Sequence, residues 1–231
     1  MLVDELIQVE ITSKKAKILS GNEGVDDYFL KQMLPWFPKV EDFSVGDEGM
    51  LAFVSLDREF GFFFYSSLIN SLSMGENDRT LTRIIPVAPA MLLRYNLNPA
   101  LMAYYYYSSG LFSGIVSIDE LLPERSLFEP QRWAAEYRLV ELAEIARAVE
   151  VHGRGVLIRD DEPLKYLASV YSQVPSDRRW ETSFAIGSKI SNSRPFHFHI
   201  RSDLDRTTLE FVTDNQIRYF GLTNSTSSAV V

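Results

Sequence analysis

The chain contains no cysteine and only three histidines in 231 residues. Without cysteine there is no disulfide framework, no thiol nucleophile and no zinc site with sulfur ligands. Glycine is sparse as well, at 12 residues. Neither GxGxxG nor GxxxxGK followed by Ser or Thr occurs, so neither of those phosphate-cradling loops is present. The GxSxG nucleophile elbow is missing too. No apolar run reaches the roughly 18–20 residues that a membrane span needs. The opening "MLVDELIQVEI" places Asp4 and Glu5 where a signal peptide carries positive charge. These absences predict a cytoplasmic protein with no membrane segment.

What is present suits a globular α+β chain. Hydrophobic residues make up 46% of it, with 15 Phe and 11 Tyr, enough apolar area for a sizeable core. The net charge is −8 and is unevenly placed: residues 1–120 carry 9 basic against 16 acidic side chains, and residues 121–231 carry 14 against 15. An acidic first half opposes contact with a phosphate backbone, so no nucleic-acid partner is expected.

Apolar runs and turn signals lay out the elements. "LVDELIQVEI" and "KKAKIL" read as paired strands, and "GVDDYFLKQMLPWFP" as a short helix stopped by Pro35 and Pro38. "GMLAFVSL" and "FGFFFYSS" form a hairpin, and "TLTRIIPVAP" is a further strand. Two helices open at Pro89 and Pro99, the second ending near Gly110. The polar "IDELLPERSLFEP" marks a boundary. It gives an N-terminal lobe over 1–122 and a C-terminal lobe over 123–231, or one compact unit. Beyond it a single long helix is predicted from about Gln131 to Val151, with Leu139, Leu142, Ala143, Ala146 and Val149 on its packed face. "EPLKYLASVYSQVP" is a further amphipathic helix. "WETSFAIG", "RPFHFHIR" and "TTLEFVTD" read as three strands. The first two of these are expected to be adjacent and antiparallel around the exposed "SKISNS" loop, within mostly antiparallel sheets packed with helices. The polar tail "TNSTSSAVV" carries a glycosylation triplet at Asn224 that has no meaning in a cytoplasmic chain.

Two of the three histidines lie in "RPFHFHIRSD". Alternation along a strand puts Phe196, Phe198 and Ile200 on one face and His197, His199 and Arg201 on the other. Histidines at i and i+2 can chelate a metal, but a metal needs further ligands, and Arg201 beside them repels a cation. An apolar strand face explains the pattern without a metal. A metal-assisted hydrolase or phosphoesterase using His197 and His199 is the alternative reading. The acids Asp160, Asp161 and Glu162 sit where a helix begins and complement its dipole. "YYYYSSG" spreads four tyrosines around a helix; Tyr104 and Tyr105 are candidates for a partner surface, because tyrosine combines a large apolar area with a polar tip. Lys189, Arg194 and Arg201 make a basic edge that is a second candidate for an acidic partner.

Three features carry a resemblance. "NDRTLTRIIPVAPAMLLRYNLNPALMAYYYYSSG" resembles the N-terminal module of the bacterial GTPase-associated protein family, through Arg79, Thr82, Pro86, Pro89, Leu93, Asn98 and Pro99. "EPLKYLASVYSQVPSDRRWETSFAIGSKISNSRPFHFHI" is similar to the module that follows it in that family, with the pattern hP...R...SFshG.......RPF.h. The matching residues are Leu167, Pro175, Arg178, Ser183, Phe184, Gly187, Arg194, Pro195 and Phe196. The order and spacing of the two agree, and together they cover about half the chain. The opening lacks the Gly-Tyr signature with which such modules often begin. The resemblance implies a non-enzymatic adaptor of prokaryotic GTPase-centred defence or conflict systems, whose partner is a protein, a GTPase or another component of the same system, with no cofactor. The residues themselves suit scaffold roles: Asn98 as a helix N-cap, Gly187 at positive φ in a turn, and Arg194 and Arg178 pairing with the acidic first half.

Overall fold

The computed structural model describes residues 7–11, 16–20, 31–43, 49–57, 61–69, 79–113, 129–135, 137–158, 161–187, 189–203 and 205–221. The boundary segment "IDELLPERSLFEP", the "NSLSMGENDR" loop and the polar tail fall wholly or mostly outside them.

The apolar runs of the first half form an antiparallel set of strands. Strands β1 (Ile7–Ile11) and β2 (Ala16–Ser20) pair across a bulge. β3 (Met50–Ser55), β4 (Gly61–Ile69) and β5 (Arg79–Val87) follow as antiparallel neighbours, and β5 also pairs with β1. Pro86 lies two residues beyond Ile84, where the described β1 register ends, so its missing N–H interrupts no described pairing with β1. On the other side Pro86 lies opposite Phe62.

The second half adds β6 (Gly155–Ile158), β7 (Phe184–Ile186), β8 (Phe198–Arg201) and β9 (Arg218–Gly221). One mixed sheet of nine strands results, in the order β2-β1-β5-β4-β3-β7-β8-β6-β9. It passes through the expected lobe boundary without a break. Phe53 lies opposite Phe184, Ala52 opposite Ala185 and Leu51 opposite Ile186 across the β3–β7 seam. The architecture is α+β, and the two halves share one sheet.

Alternation along these strands buries both faces. Leu51, Phe53, Phe63, Ile85, Phe184, Phe198 and Ile200 contribute to a large core beneath the helices. Met50, Ala52, Val54, Phe62, Phe64, Ile84 and Ala185 face the other way, under Met33, Phe37, Phe43 and Phe196. Among the described residues this second layer is formed by the segment 31–43, in which a helical turn runs into a 3-10 turn at Leu34–Trp36, and by part of the β7–β8 connection.

The helices α1 (Pro89–Leu93), α2 (Pro99–Ser108), α3 (Glu129–Ala134), α4 (Leu139–His152) and α5 (Pro163–Gln173) lie over the large core, and the one-turn α6 (Ser176–Arg179) follows α5. The helix α7 (Arg206–Asp214) gives no residue to that core, and Asn215 at its end accepts from Asn192 of the β7–β8 connection at 3.2 Å. Proline opens α1, α2 and α5, where its lost donor would be unsatisfied anyway. Asn98 caps α2 as expected: its side chain accepts from Leu101 N at 3.0 Å, and its Nδ2 donates to Ala168 O at 2.8 Å, tying α2 to α5. Gly153 ends α4 at φ 75°, with its N–H on Val149 O.

Four expectations are corrected. The long helix is broken into α3 and α4 around 135–138, where Tyr137 packs edge-on against Tyr166 at 5.0 Å. The packed face of α4 is Leu142, Ile145, Ala146, Ala148 and Val149; Leu139 is 57% exposed and Ala143 is also exposed. "TTLEFVTD" is not a strand. It lies in α7, because Asp205 accepts from Thr208 N at 2.6 Å and caps a helix that buries Thr208 and Val212. The strand at this end of the sheet is β9.

Finally, β7 and β8 are adjacent but parallel. A hairpin would reverse direction within a few residues. Here residues 187–197 leave the sheet and cross beneath it. Lys189 N donates to Asp42 O at 2.8 Å, Arg194 reaches Asp42, and Phe196 enters the second layer. Gly187 makes the exit possible. Its φ is 80°, and a Cβ there would lie 2.3 Å from Gly49 O.

Candidate functional site: the cleft beside His197

The Gly153 turn, the α5–α6 turn and the approach to β8 enclose a cleft of about 440 Å³. That size suits a small ligand. One wall is α4, with Ala143, Ala146, Arg147 and Glu150; the other carries Pro175, Arg178 and Glu181. Val149 and Val174 add to its apolar lining, and Gln173 and Thr182 add polar groups. The charged groups stand on exposed positions of both walls. Arg178 lies 3.8 Å from Glu181 on its own wall, and among the described residues no ion pair crosses the cleft.

His197 lines this cleft and is fixed by Ser183. The Ser183 backbone N–H donates to Nδ1 at 3.0 Å, the Ser183 hydroxyl lies 2.9 Å from the same nitrogen, and the His197 N–H donates to Ser183 Oγ at 3.3 Å. A backbone N–H can only donate, so Nδ1 is the acceptor and the ring proton of the neutral form sits on Nε2. Burial pushes the imidazole below its ordinary pKa, and the Arg154 guanidinium adds to this; Glu181 works against both. The ring is therefore mainly neutral at pH 7.

His199 has different surroundings. Its neighbour Phe198 belongs to the core beneath the helices, whereas His199 is 3% exposed and packs edge-on against Phe196 at 6.2 Å. The expected alternation of Phe196 with Phe198 fails because the chain turns before β8: Phe196 N donates to Arg194 O, and Phe196 and Phe198 enter opposite layers. The structure thus does not assemble His197 and His199 around one point. Among the described residues no group of three or more histidine, aspartate or glutamate side chains is placed to hold a metal.

The basic edge is drawn inward rather than presented. Arg194 is 5% exposed and pairs with Asp42 at 2.5 Å and 2.8 Å. This is the expected clamp onto the acidic first half. Arg201 is 4% exposed and lies 3.4 Å from both Asp203 and Asp205. Lys189 is half-buried and donates to Glu41 O at 3.2 Å. Arg194 is thus neutralised by the layer 31–43 and Arg201 by the two aspartates that follow it, whereas Lys189 rests on a backbone carbonyl.

The tyrosines divide as helix geometry requires. Tyr105 and Tyr106 are buried, Tyr107 is exposed, and Tyr104 is half-buried with its ring 5.0 Å from Trp133. Burial holds the Tyr106 hydroxyl far above the usual tyrosine range. Lys165 lies 5.9 Å from the rings of both Tyr104 and Trp133.

Among the described residues Arg178 makes no ion pair with the first half and lies beside Glu181 instead. Its neighbour Arg179 does the connecting. It is buried and donates to Val174 O at 2.9 Å, Asn96 O at 2.8 Å and Ser172 O at 3.0 Å. These carbonyls lie at the α5 C-terminus and in the left-handed Asn96–Leu97 turn, so one guanidinium joins the two halves on the helix side. Burial lowers its pKa. The signal was in the sequence: counting three residues from Pro175 and three more to Ser183 places the motif arginine at 179. Arg147, Glu150 and Glu181 had no motif to announce them.

Comparison of the chain with protein-family models, curated proteins and solved structures found no match. No helix among the described residues is long and apolar enough to cross a membrane.

Proposed function

We propose that this chain is a non-enzymatic protein-binding adaptor of a prokaryotic GTPase-centred defence system. It acts in the cytoplasm, and its partner is a GTPase or another component of the same system. The observation that carries this reading is the clamp between Arg194 and Asp42. Arg194 belongs to the motif set behind the family resemblance, and its partner lies in the other half of the chain. Other members of that set do similar work: Asn98 ties α2 to α5, Gly187 permits the exit from β7, and Phe184 packs on Phe53 across the seam at 6.3 Å. A pattern whose residues hold a scaffold together suits a module selected for its shape and surface. Leu139 and Val140, exposed at the start of α4, and Val151 near its end supply apolar contact area.

The test is to recover GTPases with the tagged chain from its native host and to measure the association of each purified one with the chain by analytical ultracentrifugation. A saturable complex is expected. Metal analysis of the same preparation guards against the hydrolase reading. Stoichiometric metal that disappears in the His197→Ala/His199→Ala double variant would overturn the adaptor proposal.

A further inference from the structure

We infer that the cleft beside His197 binds a small zwitterion of the α-amino-acid kind, with its carboxylate facing Arg147, its ammonium facing Glu150 and an aliphatic side chain against the apolar lining. Each wall carries one cation and one anion three residues apart: Arg147 and Glu150 on α4, Arg178 and Glu181 on the other. Arg147 and Glu150 are exposed and make no ion pair among the described residues. Opposite charges on facing walls would close on each other if they could reach, and no ion pair does so here. The gap suits a ligand that brings one charge of each sign. Such a ligand leaves neither wall with an uncompensated charge when water is displaced.

The rest of the lining fixes the remaining chemistry. Ala143, Ala146, Val149, Val174 and Pro175 are apolar and leave room for an aliphatic group, while Thr182 Oγ1 donates to Arg178 O at 2.8 Å and Gln173 Nε2 to Ser172 Oγ at 2.9 Å. His197 contributes one donor. With Nδ1 held by the Ser183 N–H, Nε2–H is the edge that remains, and none of its described hydrogen bonds uses it. A donor in that position suits a ligand carbonyl or carboxylate oxygen. A cleft of about 440 Å³ has room for a free amino acid or a dipeptide, and the two share this chemistry.

The experiment is a titration of the full chain followed by amide NMR, using L-leucine and leucyl-leucine as probes, each also in its C-terminal amide and N-acetyl forms. Saturable shifts confined to the cleft, strongest for the zwitterions, are expected; the tighter zwitterion identifies the source. Arg147→Ala should weaken the zwitterions about tenfold and leave the amides unchanged, whereas Glu150→Ala should weaken the zwitterions similarly and leave the N-acetyl forms unchanged. Both positions are exposed and unpaired, so the variants should retain the parent spectrum away from the cleft. The proposal is overturned if the zwitterions give no saturable shift, if the amide or N-acetyl forms bind as well as they do, or if both variants bind like the parent.

Discussion

The two halves of the sheet are built on different rules. From β1 to β5 the strands are antiparallel, β4 and β5 each run nine residues, and β3–β4 is a hairpin. From β7 to β9 the strands are three or four residues long, and their pairings to one another are parallel. An antiparallel hairpin is held by contacts close in sequence. A parallel strand must wait for a crossover to pack before it has a neighbour. The second half therefore depends on distant partners, and these partners come from the first half: β3 for β7, Asp42 for Arg194, Asn96 for Arg179.

The largest expected effect comes from breaking that dependence. Among the described residues, Asp42→Ala leaves the almost fully buried Arg194 guanidinium with Phe37 O alone, at 3.4 Å, still accepting from it. Removing one partner of a buried ion pair costs about 3–5 kcal/mol. Urea denaturation should show this loss. If the halves fold as one unit, fluorescence and circular dichroism should still move together. A loss below about 1 kcal/mol would mean that the crossover does not need its anchor in the first half.

Next comes a pair of substitutions on α4. Leu142 is fully buried, and Leu142→Ala should cost about 2–5 kcal/mol. Leu139, one turn earlier, faces solvent, and Leu139→Ala should stay within about 0.5 kcal/mol of the parent. Equal costs would place both leucines on one buried face and contradict the break between α3 and α4.

The same contrast explains what the sequence made legible. The β3–β4 hairpin was readable because alternating apolar residues on both faces and a short polar connector are local signals. So were Asn98 as a cap and Gly187 as a turn, since each residue type has a conformational reason to be where it is. The parallel pairing of β7 and β8 was not readable. "SKISNS" has the composition of a hairpin loop, and only the anchorage of Lys189 and Arg194 on Asp42 diverts it. α7 was misread because Leu209 and Phe211 mimic strand alternation, while the cap at Asp205 that starts the helix is a weak signal on its own. The candidate cleft was least legible. Its charged walls come from α4 and from the α6 region, and nothing in linear order brings Glu150 near Glu181.

A smaller effect should follow from Asn98→Ala, which removes both the α2 cap and the tie to Ala168 O. Loss of a cap costs about 1 kcal/mol, within a range of about 0.5–2. Asn98→Ser restores the cap but is too short to keep the reach to α5. Its stability relative to the alanine variant separates the local contribution from the one that joins the halves. If serine recovers the full parental stability in thermal melts, the link between α2 and α5 contributes nothing measurable.

The smallest effect concerns His197, which sits where the β7–β8 pairing begins. Its pKa in the folded chain lies below the ordinary value of about 6.5 that it regains on unfolding, chiefly through burial and then through Arg154. The unfolded chain therefore takes up a proton before the folded chain does. By linkage, stability is full above the unfolded pKa and declines as the pH falls from there toward the lower, folded pKa. Asp205, whose pKa is lowered mainly by the Thr208 N–H, acts only at lower pH, as the medium approaches the ordinary carboxylate range. A window from pH 7 down to about 5 thus leaves Asp205 out, and the comparison with a variant at His197 separates that residue from the other two histidines. Across it the melting temperature of the parent should fall more than that of His197→Asn, whose amide oxygen can still accept from the Ser183 N–H but does not titrate. Parallel curves for the two proteins would mean that the imidazole is as accessible to a proton in the folded chain as in the unfolded one. In that case the Ser183 clamp would not be holding Nδ1.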